Sequence, residues 1–188
     1  MQDAVVLPAL WLPIILSAVV VMIGSTIVWM VFKYENTEWK TVPGEDQLRE
    51  AVRKLNLPAP GQYLFPHMMG SADPQTAMKK WEEGPNGVLL LMKAQKFSMG
   101  GRLTLAFVYY LVVSFFTAYV ASHALARGAE YLRVFQVVGP TAFMAYGFGI
   151  FSEAIWFGRT WKSACKTAFS ALIYGCLTAG TFGWLWPR

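Results

Sequence analysis

Four long apolar runs alternate with polar stretches of very unequal length. The runs cover Leu7 to Phe32, Leu103 to Leu125, Val134 to Phe157 and Thr167 to Trp186. Each reaches the ~20 residues that carry a helix across a bilayer. The pattern predicts an all-α membrane protein with four transmembrane helices. The first helix lies within 1–33, a small α/β insert fills 34–101, and a three-helix transmembrane bundle fills 102–188. The connections 126–133 and 158–166 are short enough to make hairpins of the last three helices.

The insert has its own pattern. Leu48, Ala51, Val52 and Leu55 recur at i, i+3, i+4 and i+7, which predicts an amphipathic helix over 45–56. Its acids lead and its bases trail, matching the helix dipole, and Pro58 stops it. Asp73 and Pro74 read as a cap and first-turn proline for a short helix over 74–83, with Met78 and Trp81 on its apolar face and Gly84 at its end. Residues 87–95 read as a strand that pairs with Gln62 to Phe65. A two-stranded ribbon is marginal alone, so it must lean on helices or on a partner.

Composition strengthens the membrane reading: 55% of residues are hydrophobic and 14% are charged. Trp11, Trp29, Tyr34, Trp39, Trp156, Trp161, Trp184 and Trp186 flank the run ends, where amphipathic rings meet headgroups. The first run reads as a retained helix. It lacks a basic leader, carries Asp3, and is too long for a signal peptide. The net charge of +5 follows topology better than nucleic-acid binding. Lys33, Lys40, Lys93, Lys96, Arg102, Arg159, Lys162 and Lys166 fall on one side, against Arg127, Arg133 and Arg188 on the other. That bias places the insert in the cytoplasm and both termini outside.

The strongest local pattern is steric. Ser163, Thr167, Ala171, Gly175, Ala179 and Gly183 are all small and recur every four residues along the fourth helix. Thr141, Ala145, Gly149 and Glu153 form a shorter stripe on the third. Such faces bring backbones close, within the chain or between subunits. Ser17, Gly24 and Ser25 should likewise turn toward other helices.

Glu153 is the one carboxylate inside a predicted span. It is either a proton or cation site or an inter-subunit pair, or else a structural ion pair, with Arg102 and Lys166 as candidate partners, or a carboxylate that reaches up to the interface. His67 and His123 fall on opposite sides of a ~30 Å core, so they cannot share one haem or metal. Each alone remains a candidate cofactor ligand: His123 for a haem or chlorin, His67 with Met68 and Met69 for copper. The plainer alternative is a surface-loop His67 and an interfacial, hydrogen-bonded His123. Cys165 and Cys176 stand roughly 16 Å apart on one helix, too far for a disulfide. No nucleophile elbow, Walker loop, HExxH or CxxC is present, and Gly100-Gly101 reads as a linker into the second helix. No catalytic centre or resident metal is predicted.

The segments Leu10 to Ile14, Lys33-Tyr34, Pro60 to Pro66 (PGQYLFP) and Gly84 to Gly87 (GPNG) resemble a widespread group of small bacterial membrane proteins of unassigned function. The resemblance covers the first helix, the insert and the start of the second helix. It implies a bacterial inner-membrane location and brings no activity. The sequence therefore points first to a non-catalytic accessory subunit that binds other membrane subunits, or copies of itself, through small-residue helix faces and the insert. The alternatives are a cofactor-associated electron-transfer subunit and a small oligomeric transporter centred on Glu153.

Overall fold

The computed structural model describes residues 5–68 and 73–188. Asp3 and Met69, both used above, lie outside the described residues. Two compact units emerge. One holds the residues through Trp39, Ser98–Ser152 and Thr160–Arg188, and the other holds Lys40–Phe97 and Glu153–Arg159.

The first unit is a helix bundle. Helix α1 (Trp11–Ile27) follows a 3-10 turn at Leu7–Leu10 and runs into a π segment, Val28–Phe32. Pro13 falls in the first turn of α1, where backbone nitrogens have no intrahelical partner to lose. Three further long helices complete the bundle. They are α4 (Met99–Ala124), α5 (Tyr131–Phe143) with a π segment at Met144–Phe148, and α7 (Trp161–Trp184). Helix α7 packs on α5 and α1, and α4 packs on α1 and α5, which closes a four-helix ring.

Among the described residues, three stretches are long and apolar enough to cross a membrane: Leu7–Phe32, Met99–Ala124 and Tyr131–Trp156. Helix α7 is comparably long but more polar than the run expected there. Its Ser170, Thr178 and Thr181 are nonetheless buried, together with Ala171, Gly175 and Ala179. It carries hydroxyls because other helices, and not lipid, cover them.

The second and fourth helices begin earlier than hydropathy alone indicates. Ser98 caps α4 by accepting from the Gly101 amide at 3.3 Å, and Thr160 caps α7 by accepting from the Ser163 amide at 3.2 Å. The first turns are polar, so the apolar runs miss them, and Gly100-Gly101 is helical instead of a linker. The third run is one membrane-length helix, Tyr131–Trp156, with an irregular middle. Pro140 lies inside α5, the π segment follows, and α6 (Ile150–Trp156) comes after Gly149. Gly139, Pro140, Gly147 and Gly149 make this the weakest helical stretch of the bundle.

The bundle interior has two halves. One is apolar: Leu10, Ala118, Ala121, Leu125, Val134, Val138, Ala179, Phe182 and Trp186 pack together. The Trp186 indole donates to the Ala126 carbonyl at 2.9 Å, so this ring is buried and not an interfacial anchor. The other half gathers Val21, Val28 and Tyr174 with Tyr34, Tyr110 and Tyr146.

In the second unit, α2 (Glu45–Lys54) and α3 (Pro74–Glu83) flank strand β1 (Gly61–Phe65), which pairs antiparallel with β2 (Gly87–Leu91). Gly61 lies opposite Leu91 and Phe65 opposite Gly87. The second strand stops at Leu91, short of the expected 95. Its partner sits between Pro60 and Pro66, which donate no ladder hydrogen bonds. Helix α2 ends at Lys54, because Asn56 already adopts a left-handed backbone (φ 47°). Helix α3 is capped by Asp73, which accepts from the Thr76 amide at 3.1 Å and its hydroxyl at 2.5 Å.

Candidate functional site

The best-organised polar constellation lies where α1 ends against α7. Lys33 takes a left-handed backbone (φ 53°) that terminates the helix, and a 3-10 turn at Asn36–Glu38 follows. Tyr34 and Glu35 therefore turn toward α7. The Lys166 ammonium of α7 donates to the Tyr34 carbonyl at 3.0 Å, to the Thr37 hydroxyl at 2.6 Å and to the Glu38 carboxylate. All three of its hydrogens are used. Lys162 approaches the same carboxylate at 3.8 Å. The Lys166 hydrogen bond, reinforced by both lysine charges, holds the Glu38 carboxyl below the usual carboxylate range against a desolvation that pushes it up.

Beside this clamp the Glu35 carboxylate accepts from the Ser170 hydroxyl and from the Thr167 hydroxyl at 3.4 Å. Ser170 Oγ also lies 2.6 Å from the Tyr34 phenol. Deeper in, the Tyr174 ring meets Tyr110 and Tyr146 edge-on, with centroids 6.3 and 5.8 Å away. The Tyr146 phenol lies 3.5 Å from the Thr178 hydroxyl. Ser17 of α1 donates to Ser114 of α4 at 2.9 Å, in a position shielded from solvent. Lys166, Ser170, Tyr174 and Thr178 thus form a second stripe of period four on α7, beside the small-residue stripe, and this one is polar. From Lys166 to Thr178 it rises about 18 Å along the helix. Beyond it stands the apolar half of the core.

The small-residue stripe is consumed within the chain. A Cβ on Gly175 would stand 3.1 Å from the Gly139 carbonyl and 3.2 Å from the Phe143 backbone nitrogen. A Cβ on Gly147 would meet Ala171, one on Gly139 would meet Ala179, and one on Gly183 would meet the Tyr131 ring. So Ala171, Gly175, Ala179 and Gly183 pack antiparallel against a ridge of Tyr131, Phe135, Gly139, Phe143 and Gly147. The stripe of α5 expected to match them is not that ridge: Ala145 and Gly149 are exposed, and Gly149 has open space beside it. Glycine and phenylalanine alternate on the true ridge, so a search for small residues alone misses it. Ser17 and Ser25 do turn inward, and Gly24 faces Leu177.

Glu153 has Arg159 as its ion-pair partner. Gly158 (φ 72°) turns the chain back over the end of α6, and the Arg159 Nε donates to the Glu153 carboxylate at 2.9 Å. The carboxylate is 53% exposed, and the pair closes the end of α6. His123 Nδ1 lies 2.8 Å from the Tyr119 carbonyl and 3.2 Å from Ser122 Oγ, with its ring 4.5 Å from that of Tyr119. His67 is exposed in the loop after β1. Among the described residues no three His, Cys, Asp or Glu side chains gather to hold a metal. Cys165 and Cys176 are free and exposed.

Sequence reasoning missed Glu35, Glu38 and Ser170. The usable signal was the polar stripe on α7 one residue off the small one. The chain matches no protein-family model, no curated protein and no solved structure.

Proposed function

We propose that this chain is a non-catalytic accessory subunit of a larger membrane assembly, and that the insert between its first two membrane helices is where partner subunits dock. In this reading four helices hold it in a bacterial inner membrane, with both termini outside and residues 34–101 in the cytoplasm. The observation that carries the proposal is the absence of a core in the insert. Among the described residues of Lys40–Phe97, Ala77 is the one hydrophobic side chain that is buried. The apolar faces of its helices are open: Leu48 on α2 with Leu55 just past its end, Met78 and Trp81 on α3. Leu90 on β2 and Met92 just after it are 63% and 77% exposed.

Two ten-residue helices and a five-residue ribbon fall below what stands alone in water. Exposed apolar faces of this extent mark a binding surface. The helix stripes, by contrast, speak less for subunit contacts than the sequence implied, because α5 already occupies the face of α7.

The test is the mass and subunit content of the full chain purified from its native membrane in a mild detergent. The expected result is a particle containing other proteins, lost in a Met78→Asp, Trp81→Asp variant that still extracts and folds. A particle made of this chain alone, unchanged by the double substitution, overturns the proposal.

A further inference from the structure

His123 stands at the end of α4 with its ring held in place. Its Nδ1 lies 2.8 Å from the Tyr119 carbonyl oxygen, and its ring centroid lies 4.5 Å from that of Tyr119. A carbonyl oxygen only accepts, so the one proton of the neutral imidazole sits on Nδ1. Ser122 Oγ, 3.2 Å from the same nitrogen, does not change this, because the Ser122 hydroxyl donates to the Tyr119 carbonyl at 2.8 Å. Nε2 is left with the lone pair. Among the described residues nothing bonds it, and the residue is exposed.

Metal-binding histidines are arranged in this way. The nitrogen that does not bind the metal donates its hydrogen, commonly to a backbone carbonyl, which sets the tautomer and raises the basicity of the free nitrogen. Lipid alone asks only for apolar side chains at the end of a long apolar helix. It gives no reason for an imidazole fixed by Nδ1 with Nε2 open.

The surroundings decide the form of the metal. Among the described residues no three His, Cys, Asp or Glu side chains gather, so a bare ion would find one ligand where protein sites supply three or four. An iron already held by four porphyrin nitrogens needs only an axial imidazole. The helix face leading to His123 suits such a ring. Phe116, Tyr119 and Val120 precede it by seven, four and three residues, which is the spacing of one helix face. They are 62%, 50% and 43% exposed. Two aromatic rings and a branched side chain give a flat apolar macrocycle a surface to rest on. Arg127, exposed in the loop past the helix end, offers a cation to carboxylates on the rim of the macrocycle.

We infer that His123 is the single axial ligand, through Nε2, for an iron porphyrin resting on the Phe116, Tyr119 and Val120 face of α4. The inference does not depend on docking by the insert, because α4 belongs wholly to the bundle unit.

The test uses the full chain in lipid nanodiscs, purified without a histidine tag and carrying His67→Ala, so that His123 is the one imidazole left. Magnetic resonance of isotope-labelled histidine, before any porphyrin is added, should show the Nδ1–H tautomer. Ferrous haem should then bind at one per chain above the background of empty nanodiscs, with an iron–histidine stretch in the resonance Raman spectrum. His123→Ala should remove that band and weaken binding at least about tenfold. The residue is exposed, so the variant should keep its helical circular dichroism. Phe116→Ser should weaken binding and keep the band. An Nε2–H tautomer in the porphyrin-free protein overturns the inference. So does haem uptake that is the same with and without His123, as simple partition into the bilayer would give.

Discussion

The α5–α7 contact makes a prediction that ranks glycine substitutions by what lies opposite, and not by distance. A Cβ on Gly24 would stand 2.5 Å from Leu177 Cδ1, closer than the 3.1 Å that separates a Gly175 Cβ from the Gly139 carbonyl. Yet Leu177 presents the tip of a flexible side chain, and Gly139 and Phe143 present the backbone of a packed helix. A rotamer adjustment costs about 0.5–1.5 kcal/mol, and replacing a helical glycine by alanine returns about 1 kcal/mol, so Gly24→Ala should be near neutral. Gly175→Ala instead forces two helices apart by a few tenths of an ångström. Overpacking of this kind costs about 1–3 kcal/mol, which leaves a net loss of up to about 2 kcal/mol after the propensity gain. Gly175→Leu should prevent the bundle from forming. Gly149→Ala, with open space around it and a right-handed helical backbone, should gain about 0.5–1 kcal/mol. Reversible unfolding by SDS in mixed micelles, followed by far-UV circular dichroism, puts the three alanine variants on one scale. If Gly175→Ala proves as stable as Gly149→Ala, the close approach of α5 and α7 is wrong.

Three further predictions concern the polar half of the bundle. The Glu38 carboxyl is held below its ordinary value of 4.5 chiefly by the Lys166 hydrogen bond. Its contribution is therefore fully present above that value and is lost as pH falls through the lower folded value. Melting temperatures in an acid series should drop there, and Glu38→Gln should flatten that step; an unchanged step in Glu38→Gln would assign it to another group. A double-mutant cycle of Ser17→Ala and Ser114→Ala should give a coupling of about 0.6 kcal/mol, and no more than about 1.7; zero coupling would break the 2.9 Å bond between them. Thr117→Val removes a buried hydroxyl that has no partner, so it should stabilise the fold by up to about 1 kcal/mol in the same SDS assay. A loss of stability there would reveal an acceptor for Thr117.

The limits of reading this chain in one dimension follow from particular residues. Run length found the helices, because ~20 apolar residues have few other uses. It misplaced their starts at Met99 and Trp161, because capped first turns are polar for the same reason that caps exist. In the structure the period-four stripe on α7 lies against α5. Its partner was misread because helix complementarity sets small residues against both glycine and phenylalanine. Glu35 and Glu38 follow the last apolar residue of α1 so closely that composition assigns them to the insert. Only the left-handed turn at Lys33 returns them to the bundle, and no pattern of hydropathy encodes that turn. Glu153, chosen because it stood alone inside an apolar run, lies near enough to the helix end for Arg159 to reach it.

The open faces of the insert bear most on what the chain does. The most direct test replaces Trp81 with a photoreactive amino acid, irradiates living cells and identifies what becomes attached. The account predicts an adduct with one or more other membrane proteins, lost when Met78→Asp is added. Labelling confined to lipid, or to a second copy of this chain, would contradict it.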